Sequence, residues 1–202
     1  MAFINVISPE EATGRLEKIY RQVKSPEGQV DNVLQVHSLR PHTLSGHMAI
    51  YKAVLHHTSN NLPEWYLEAV GVLVSQLNQC DYCASHHAAG LKRLLEAESL
   101  NFEDYFSALQ LDQAGEPFTA REQAGLDYTR KLTQTPGQIE KLDINTLRNA
   151  GFEDGDILEL NQVAAYFAYA NRTVSGLGVN MEGEVLGQSP PTGGDNSGWS
   201  HG

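Results

Sequence analysis

The chain has 202 residues, of which 41% are hydrophobic and 19% charged, so it has enough apolar side chains to bury a core. Its 14 basic residues against 25 acidic ones give a net charge of -11, which argues against nucleic acid or an anionic membrane surface as the main partner. The two cysteines, Cys80 and Cys83, are too few for a disulfide-built secreted scaffold.

The N-terminal segment MAFINVISPEEATGRLEK has neither the basic start nor the apolar stretch of a signal peptide. No apolar run approaches the ~18 residues that a membrane span requires. We therefore expect a cytoplasmic protein with no membrane partner. In a reducing compartment, the C-x-x-C pair is expected to be redox-active or half of a metal site rather than a structural disulfide.

Helical periodicity runs through nearly the whole chain, and no alternating pattern of six or more residues indicates a strand. Ser8, Pro9 and Glu11 predict the start of the first helix, because they combine a capping box with a proline at the first helical position. Residues 25–31 predict a loop. The later helices are expected to start at or near Pro41, Pro63, Cys80, Phe102, Thr119, Asp143 and Asp154.

The sequence predicts an all-α fold, and two of its helix ends can be predicted as well. The helix that Asp143 caps is expected to stop at Gly151, and the last helix is expected to run to Ser175, with Gly176 and Gly178 ending it. Residues 1–186 are predicted to form a single all-helical domain. Residues 187–202 are rich in Gly, Pro and Ser, which predicts a flexible tail.

The chemistry concentrates around the two cysteines. Cys80 follows the helix-capping residue Asn78, so both thiols are expected in or near the first turn of a helix, where unpaired N–H groups stabilise a thiolate. Cys83 and His87 are four residues apart and share a helix face. Since the imidazole can accept the thiol proton, Cys83 is the better nucleophile candidate, and Cys80 is placed to resolve an oxidised Cys83.

Glu68 lies on the preceding helix, whose antiparallel packing is expected to bring the carboxylate back to His87. A carboxylate there orients the imidazole and raises its basicity. His86 is expected to point about 100° away from His87. The remaining histidines of the first half, His37, His42 and His47, are interpreted as surface or hydrogen-bonded core residues.

Four other interpretations remain open at this point. The cysteines could be small core residues, and Glu68 could be a solvated charge. A structural metal site at Cys80, Cys83 and His87 would need a fourth ligand, from residues 56–57 or from His86. The dithiol could also switch the assembly of a redox-sensing oligomer without catalysis.

The pattern of Glu68, eleven residues, Cys80-x-x-Cys83, three residues and His87 resembles the alkylhydroperoxidase D-like family of the carboxymuconolactone decarboxylase superfamily. Supporting similarities are Asn78 and the stretch from Asn171 to Val179, NRTVSGLGV. Residues 28–32 and 37–41 resemble the branch of peroxidase-related enzymes. The likeness spans residues 3–186.

The resemblance implies an all-helical fold that assembles as a homo-oligomer, often a trimer or hexamer. It implies thiol peroxidase chemistry without haem, flavin or metal cofactor, with a hydroperoxide as substrate and a dithiol or protein thiol as reductant. By position, Cys83 is then the peroxidatic cysteine and Cys80 the resolving one, with Glu68 and His87 as the proton relay. One departure is Tyr82, which stands where the best-studied pattern has a histidine.

Overall fold

The computed structural model describes residues 2–25, 28–110 and 115–187. These residues form α-helices joined by loops, with no strand among them, so the predicted all-α class is confirmed. One 3₁₀ turn, Pro136–Gln138, joins two of the helices. The helices are α1 Gly14–Val23, α2 Asn32–Gln35, α3 Pro41–Leu55, α4 Glu64–Leu77, α5 Asp81–Ala97, α6 Phe102–Leu109, α7 Ala120–Gln134, α8 Lys141–Asn149 and α9 Asp154–Leu177.

Helix α4 lies at the centre of the core. Every residue from Trp65 to Ser75 is buried, and the helix packs against α5, α7 and α9. A helix that is apolar on all sides is expected to be enclosed by others. At Gly71 the approach of α9 is so close that a Cβ atom would lie 2.2 Å from the Phe167 ring. The glycine therefore lets α9 bring Phe167 against α4, beside the site described below.

Of the helix starts predicted from capping residues, the start of α7 is confirmed. The Thr119 box is formed as expected: its side chain accepts from the Glu122 backbone, and the Glu122 side chain accepts from the Thr119 backbone. Asp143 belongs to a box as well, but as its third helical residue, because Glu140 is the N-cap. Helix α8 therefore begins earlier than predicted.

The first helix begins later than predicted. Ser8 and Glu11 make capping contacts, with the Glu11 N–H donating to Ser8 Oγ over 3.3 Å, but these contacts close only a turn. Helix α1 begins at Gly14, after the extended Thr13. The capping contacts of Ser8 and Glu11 are thus formed as predicted, but no helix follows them directly.

Other differences concern helix ends and short elements. Asn78 ends α4 instead of capping the cysteine helix, whose N-cap is Cys80 itself. The last helix passes through Gly176 and ends at Leu177, with Gly178 in the left-handed conformation at φ 65°. The four-residue helix α2 and the 3₁₀ turn were not predicted, since elements this short carry no periodicity.

The buried apolar residues form one large cluster and a small second one that includes both cysteines. None of the described helices combines the length and apolarity that a membrane span requires. The predicted tail, residues 187–202, lies outside the described residues apart from Gly187. The division into a domain and a tail stays a prediction.

Candidate active site

The two cysteines lie at the beginning of α5, as the spacing predicts. Cys80 is the N-cap and Cys83 lies in the first turn. Both are free thiols, both are buried, and their sulfur atoms are 3.0 Å apart in a shared hydrogen bond. The pair is therefore placed for disulfide formation with a small movement of either side chain.

The shared hydrogen bond separates the acidities of the two thiols. The Cys83 thiol stabilises a thiolate on Cys80 and, with smaller contributions from the Cys83 backbone and Ser175, lowers the pKa of Cys80 to about 6 against the effect of burial. The same interaction, together with burial, raises the pKa of Cys83. Cys80 is therefore the more acidic thiol, and Cys83 needs a base to lose its proton.

That base is on the same face of α5. His87 Nδ1 and Glu68 Oε2 are 2.6 Å apart, and Glu68 is only 1% exposed. The predicted return of Glu68 from α4 to His87 is confirmed. Because an ionised carboxylate can only accept, Nδ1 carries the proton and Nε2 is left free to accept one. The Phe167 ring packs edge-on against the imidazole, with centroids 4.5 Å apart, and holds it in place.

A cavity of about 90 Å³ opens beside these groups. Cys83, Glu68 and His87 line it, whereas Cys80 is not among its lining residues. A ligand in the cavity therefore meets Cys83 first and Cys80 behind it. This volume exceeds what one water molecule needs. The apolar and aromatic part of the wall includes Val33, Leu34, Met48, Tyr51, Tyr166 and Phe167.

Asn171 connects the cysteine helix to the end of α4. Its amide nitrogen donates to Ser75 Oγ over 3.1 Å, and its amide oxygen accepts from Asn78 over 2.9 Å. Its side chain also forms a hydrogen bond to Cys83 that favours the thiolate and opposes the rise of that pKa. Asn78 and Asn171 supported the family resemblance, and the structure shows that they bond to each other.

The hydroxyl of Tyr82, which lies between the two cysteines in the chain, bonds to groups other than the thiols. Its hydroxyl donates to Glu184 Oε1 over 2.9 Å and accepts from the Val33 N–H over 3.2 Å. Burial raises the pKa of this phenol, so it stays protonated. His86 stacks on the Tyr82 ring and bonds to the other oxygen of Glu184 at 3.2 Å. Tyr82 thus anchors the C-terminal segment, and no histidine-like role beside the dithiol is open to it in this arrangement.

Asp31 is a lining residue that no sequence pattern indicated. Burial raises the pKa of its carboxyl from the ordinary 3.8; Glu184 contributes to the rise, and His86 and His87 oppose it. Between pH 3.8 and the raised pKa, the folded protein holds a proton that the unfolded chain releases. The stability that this proton provides is present below the unfolded value and is lost as pH rises through the folded value.

The Asp31→Asn variant, neutral at every pH, is therefore expected to gain thermal stability over the wild type at about pH 7.5 and little at about pH 4. Asparagine caps α2 as well as aspartate does. Melting temperatures at both pH values test this. A Tm gain for Asp31→Asn that does not grow with pH would contradict the expectation.

The other histidines differ in their surroundings. His42 is exposed, which agrees with its interpretation as a surface residue. His37 and His47 are buried against each other, with ring centroids 5.1 Å apart. His47 lines the cavity, which the sequence did not indicate.

Within the described residues, no cluster of three or more His, Cys, Asp or Glu side chains has the arrangement of a metal site. The three histidines considered as a fourth ligand bond elsewhere: His56 to Glu64 at 2.6 Å, His57 to the Ser59 N–H at 3.1 Å, and His86 to Glu184 at 3.2 Å.

No protein-family model matches the sequence, and no curated protein matches it significantly. Solved structures do match. The alkylhydroperoxidase AhpD core, an uncharacterized peroxidase-related protein from Ralstonia eutropha JMP134, has a TM-score of 0.74 at 23% identity over 92% of this chain and 97% of that one. A peroxidase-related protein from Silicibacter sp. TM1040 has a TM-score of 0.72 at 26% identity over 88% of this chain and 87% of that one.

A second activity occurs among the matches. The debrominase Bmp8 has a TM-score of 0.68 at 17% identity over 88% of this chain and 91% of that one. A variant of Bmp8 in complex with 2,3,4-tribromopyrrole also matches. The fold is therefore that of the alkylhydroperoxidase D-like superfamily, and the resemblance expected from Glu68, the cysteines and His87 is confirmed. This fold is found in peroxidase-related proteins and in a debrominase.

Proposed function

We propose that this protein is a thiol-dependent peroxidase that reduces organic hydroperoxides through Cys83 and Cys80. The observation that carries the proposal is the order of the two thiols: Cys83 lies on the cavity wall with Glu68 and His87, and Cys80 lies behind it with its sulfur 3.0 Å away. The similarity to peroxidase-related proteins of the same fold supports it.

In the first step, the Cys83 thiol proton passes to His87 Nε2, and the sulfur attacks the terminal oxygen of the hydroperoxide. The O–O bond breaks, and the imidazole returns the proton to the leaving alkoxide. The balance is Cys83–SH + ROOH → Cys83–SOH + ROH. Glu68 supports the transfer because its buried carboxylate stabilises the positive imidazole that forms in between.

In the second step, Cys80 attacks the sulfenic acid and releases water: Cys83–SOH + Cys80–SH → Cys83–S–S–Cys80 + H₂O. The lowered pKa of Cys80 suits this resolving role, because the thiolate is the attacking species. Two equivalents of an external thiol, R′SH, then return the disulfide to the dithiol and form R′S–SR′. The cycle requires no haem, flavin or metal.

The proposal includes a dithiol or protein thiol as reductant and a homo-oligomer, a trimer or hexamer, as the assembled form. Large apolar side chains that are exposed on the single chain support an assembly, since such residues favour burial between subunits. They include Ile50 on α3 and Leu158 and Tyr169 on α9.

A second candidate function is reductive dehalogenation of a small aromatic compound. The similarity to the debrominase and the aromatic side chains of the cavity wall favour it. The same dithiol would supply both electrons: Ar–Br + Cys83–SH + Cys80–SH → Ar–H + Cys83–S–S–Cys80 + HBr. This reaction differs from the peroxidase in its substrate and product and leaves the same disulfide.

The test is mass spectrometry of the reduced protein after one equivalent of cumene hydroperoxide, with 2,3,4-tribromopyrrole in a parallel sample. We expect cumene hydroperoxide to give cumyl alcohol and a protein that has lost two hydrogens, with the bond mapped to Cys80 and Cys83. With excess dithiol, turnover is expected to continue. A disulfide that forms once without turnover would instead indicate a redox sensor, and debromination without peroxide reduction would favour the second candidate.

A further inference from the structure

We propose that Tyr166, backed by His47, binds the oxygen end of an aromatic hydroperoxide and holds it against Cys83. This inference rests on the proposed function and deepens it, since it names the substrate class and the group that recognises it. The observations are an incompletely bonded buried hydroxyl, an incompletely bonded buried imidazole, and an aromatic wall around the same cavity.

Tyr166 lies on α9 and lines the cavity together with Cys83 and His87. Burial raises the pKa of Tyr166. Nearby groups raise it further, so the side chain remains a neutral phenol beside the reacting sulfur; in order of size they are Tyr51, Cys83, Tyr169 and Glu68. Its hydroxyl has one hydrogen-bond contact among the described residues, to His47 Nε2 at 3.4 Å.

That contact leaves much of the hydroxyl's capacity unused. A phenol can donate one hydrogen bond and accept two, and bonds between such groups are ordinarily shorter than 3 Å. Buried hydroxyls are nearly always bonded, so a hydroxyl with one long contact beside a cavity calls for a ligand. A hydroperoxide or alcohol O–H that donates to the Tyr166 oxygen satisfies it.

His47 behind the hydroxyl is neutral and buried. It is 3% exposed, and burial, with His37 contributing, lowers its pKa to about 3. Its Nδ1 atom has no hydrogen-bond partner among the described residues. The Nδ1 atom of the neighbouring His37 bonds to the Thr43 hydroxyl at 3.0 Å, and that hydroxyl donates to the Arg40 carbonyl. Because the His47 imidazole is neutral, it favours a neutral polar ligand over an anionic one.

The aromatic side chains of the cavity wall favour a particular organic group on the hydroperoxide. Tyr51 and Tyr166 have ring centroids 5.8 Å apart, and Tyr166 and Phe167 have centroids 5.3 Å apart in an edge arrangement. Met48 fills the space beside them. Aromatic rings and a thioether contact a ligand ring favourably, so an aromatic hydroperoxide gains more here than hydrogen peroxide does.

The test measures binding without turnover. Reduced protein is titrated by calorimetry with cumyl alcohol, the product of cumene hydroperoxide, and with tert-butylbenzene, in which a methyl group replaces the hydroxyl. We expect the wild type to bind cumyl alcohol about 5- to 10-fold more tightly, which is the range of one hydrogen bond. In the Tyr166→Phe variant, which keeps the ring, this preference is expected to disappear while tert-butylbenzene binds as before.

The matched control is Tyr105→Phe, on α6, whose ring packs against Trp65 and Phe118 outside the cavity lining, and which is expected to keep the preference. The rate at which iodoacetamide alkylates Cys83 is expected to be the same in all three proteins, since a binding role leaves the thiol itself unchanged. A preference that survives in Tyr166→Phe, or that is absent from the wild type, would overturn the inference. Failure of the proposed function shows separately, as a wild type that prefers cumyl alcohol yet consumes no cumene hydroperoxide.

Discussion

Replacing Cys83 with serine is expected to abolish hydroperoxide consumption, with a loss of at least about 10³-fold in kcat/KM. Cys83 is the thiol on the cavity wall, and a serine hydroxyl at the same place is neither nucleophilic enough nor oxidisable. Consumption of cumene hydroperoxide with excess dithiol measures the effect.

Cys80→Ser is the matched comparison, because it changes the other sulfur of the same pair. Its first turnover is expected to proceed and to stop at the sulfenic acid of Cys83, because no thiol remains 3.0 Å away to release water from it. Trapping with dimedone, which labels sulfenic acids, is expected to mark Cys83 in this variant and no residue in the wild type.

The outcome decides the order of attack. The lowered pKa of Cys80 makes it the more acidic thiol, whereas the cavity exposes Cys83 to the substrate. Dimedone could instead mark Cys80 in the Cys83→Ser variant, with consumption of one equivalent of peroxide. The lower pKa of Cys80 would then decide which thiol attacks, and Cys80 would be the peroxidatic cysteine and Cys83 the resolving one. Equal consumption by the wild type and the Cys83→Ser variant would remove the dithiol mechanism altogether.

Local signals account for what could be predicted from the sequence. The Thr119 capping box and the prolines before α3 and α4 set helix starts, since each acts within one turn. The contact of Glu68 with His87 could be predicted because two long antiparallel helices joined by a short turn must pack side by side.

What could not be predicted depends on contacts distant in the chain. Tyr166 and Asp31 reach the cavity from α9 and the start of α2, and Glu184 reaches Tyr82 across 102 positions. No spacing rule connects such residues. The acidity order of the thiols was missed because it depends on the hydrogen bond between the two sulfur atoms, which the C-x-x-C spacing does not determine.

Replacing Glu68 with glutamine is expected to slow the reaction of Cys83 with hydroperoxide by about 10²-fold, the lower end of what general acid–base catalysis contributes. The amide can donate to His87 Nδ1 and so move the imidazole proton to Nε2, the atom that must accept the thiol proton. Glutamine also cannot stabilise a positive imidazole as a carboxylate does. Single-turnover rates in rapid mixing measure the effect.

Glu64→Gln supplies a control on the same helix. Glu64 bonds to a histidine, His56, over the same 2.6 Å, but it lies outside the cavity lining. Its glutamine variant is expected to react with hydroperoxide at the wild-type rate. If both variants slowed the reaction equally, the effect would come from α4 as a structural element and not from the Glu68–His87 pair. A slow step confined to Glu68→Gln, with an unchanged melting temperature, would instead assign proton transfer to that pair, because the amide preserves the shape of the carboxylate and removes its charge.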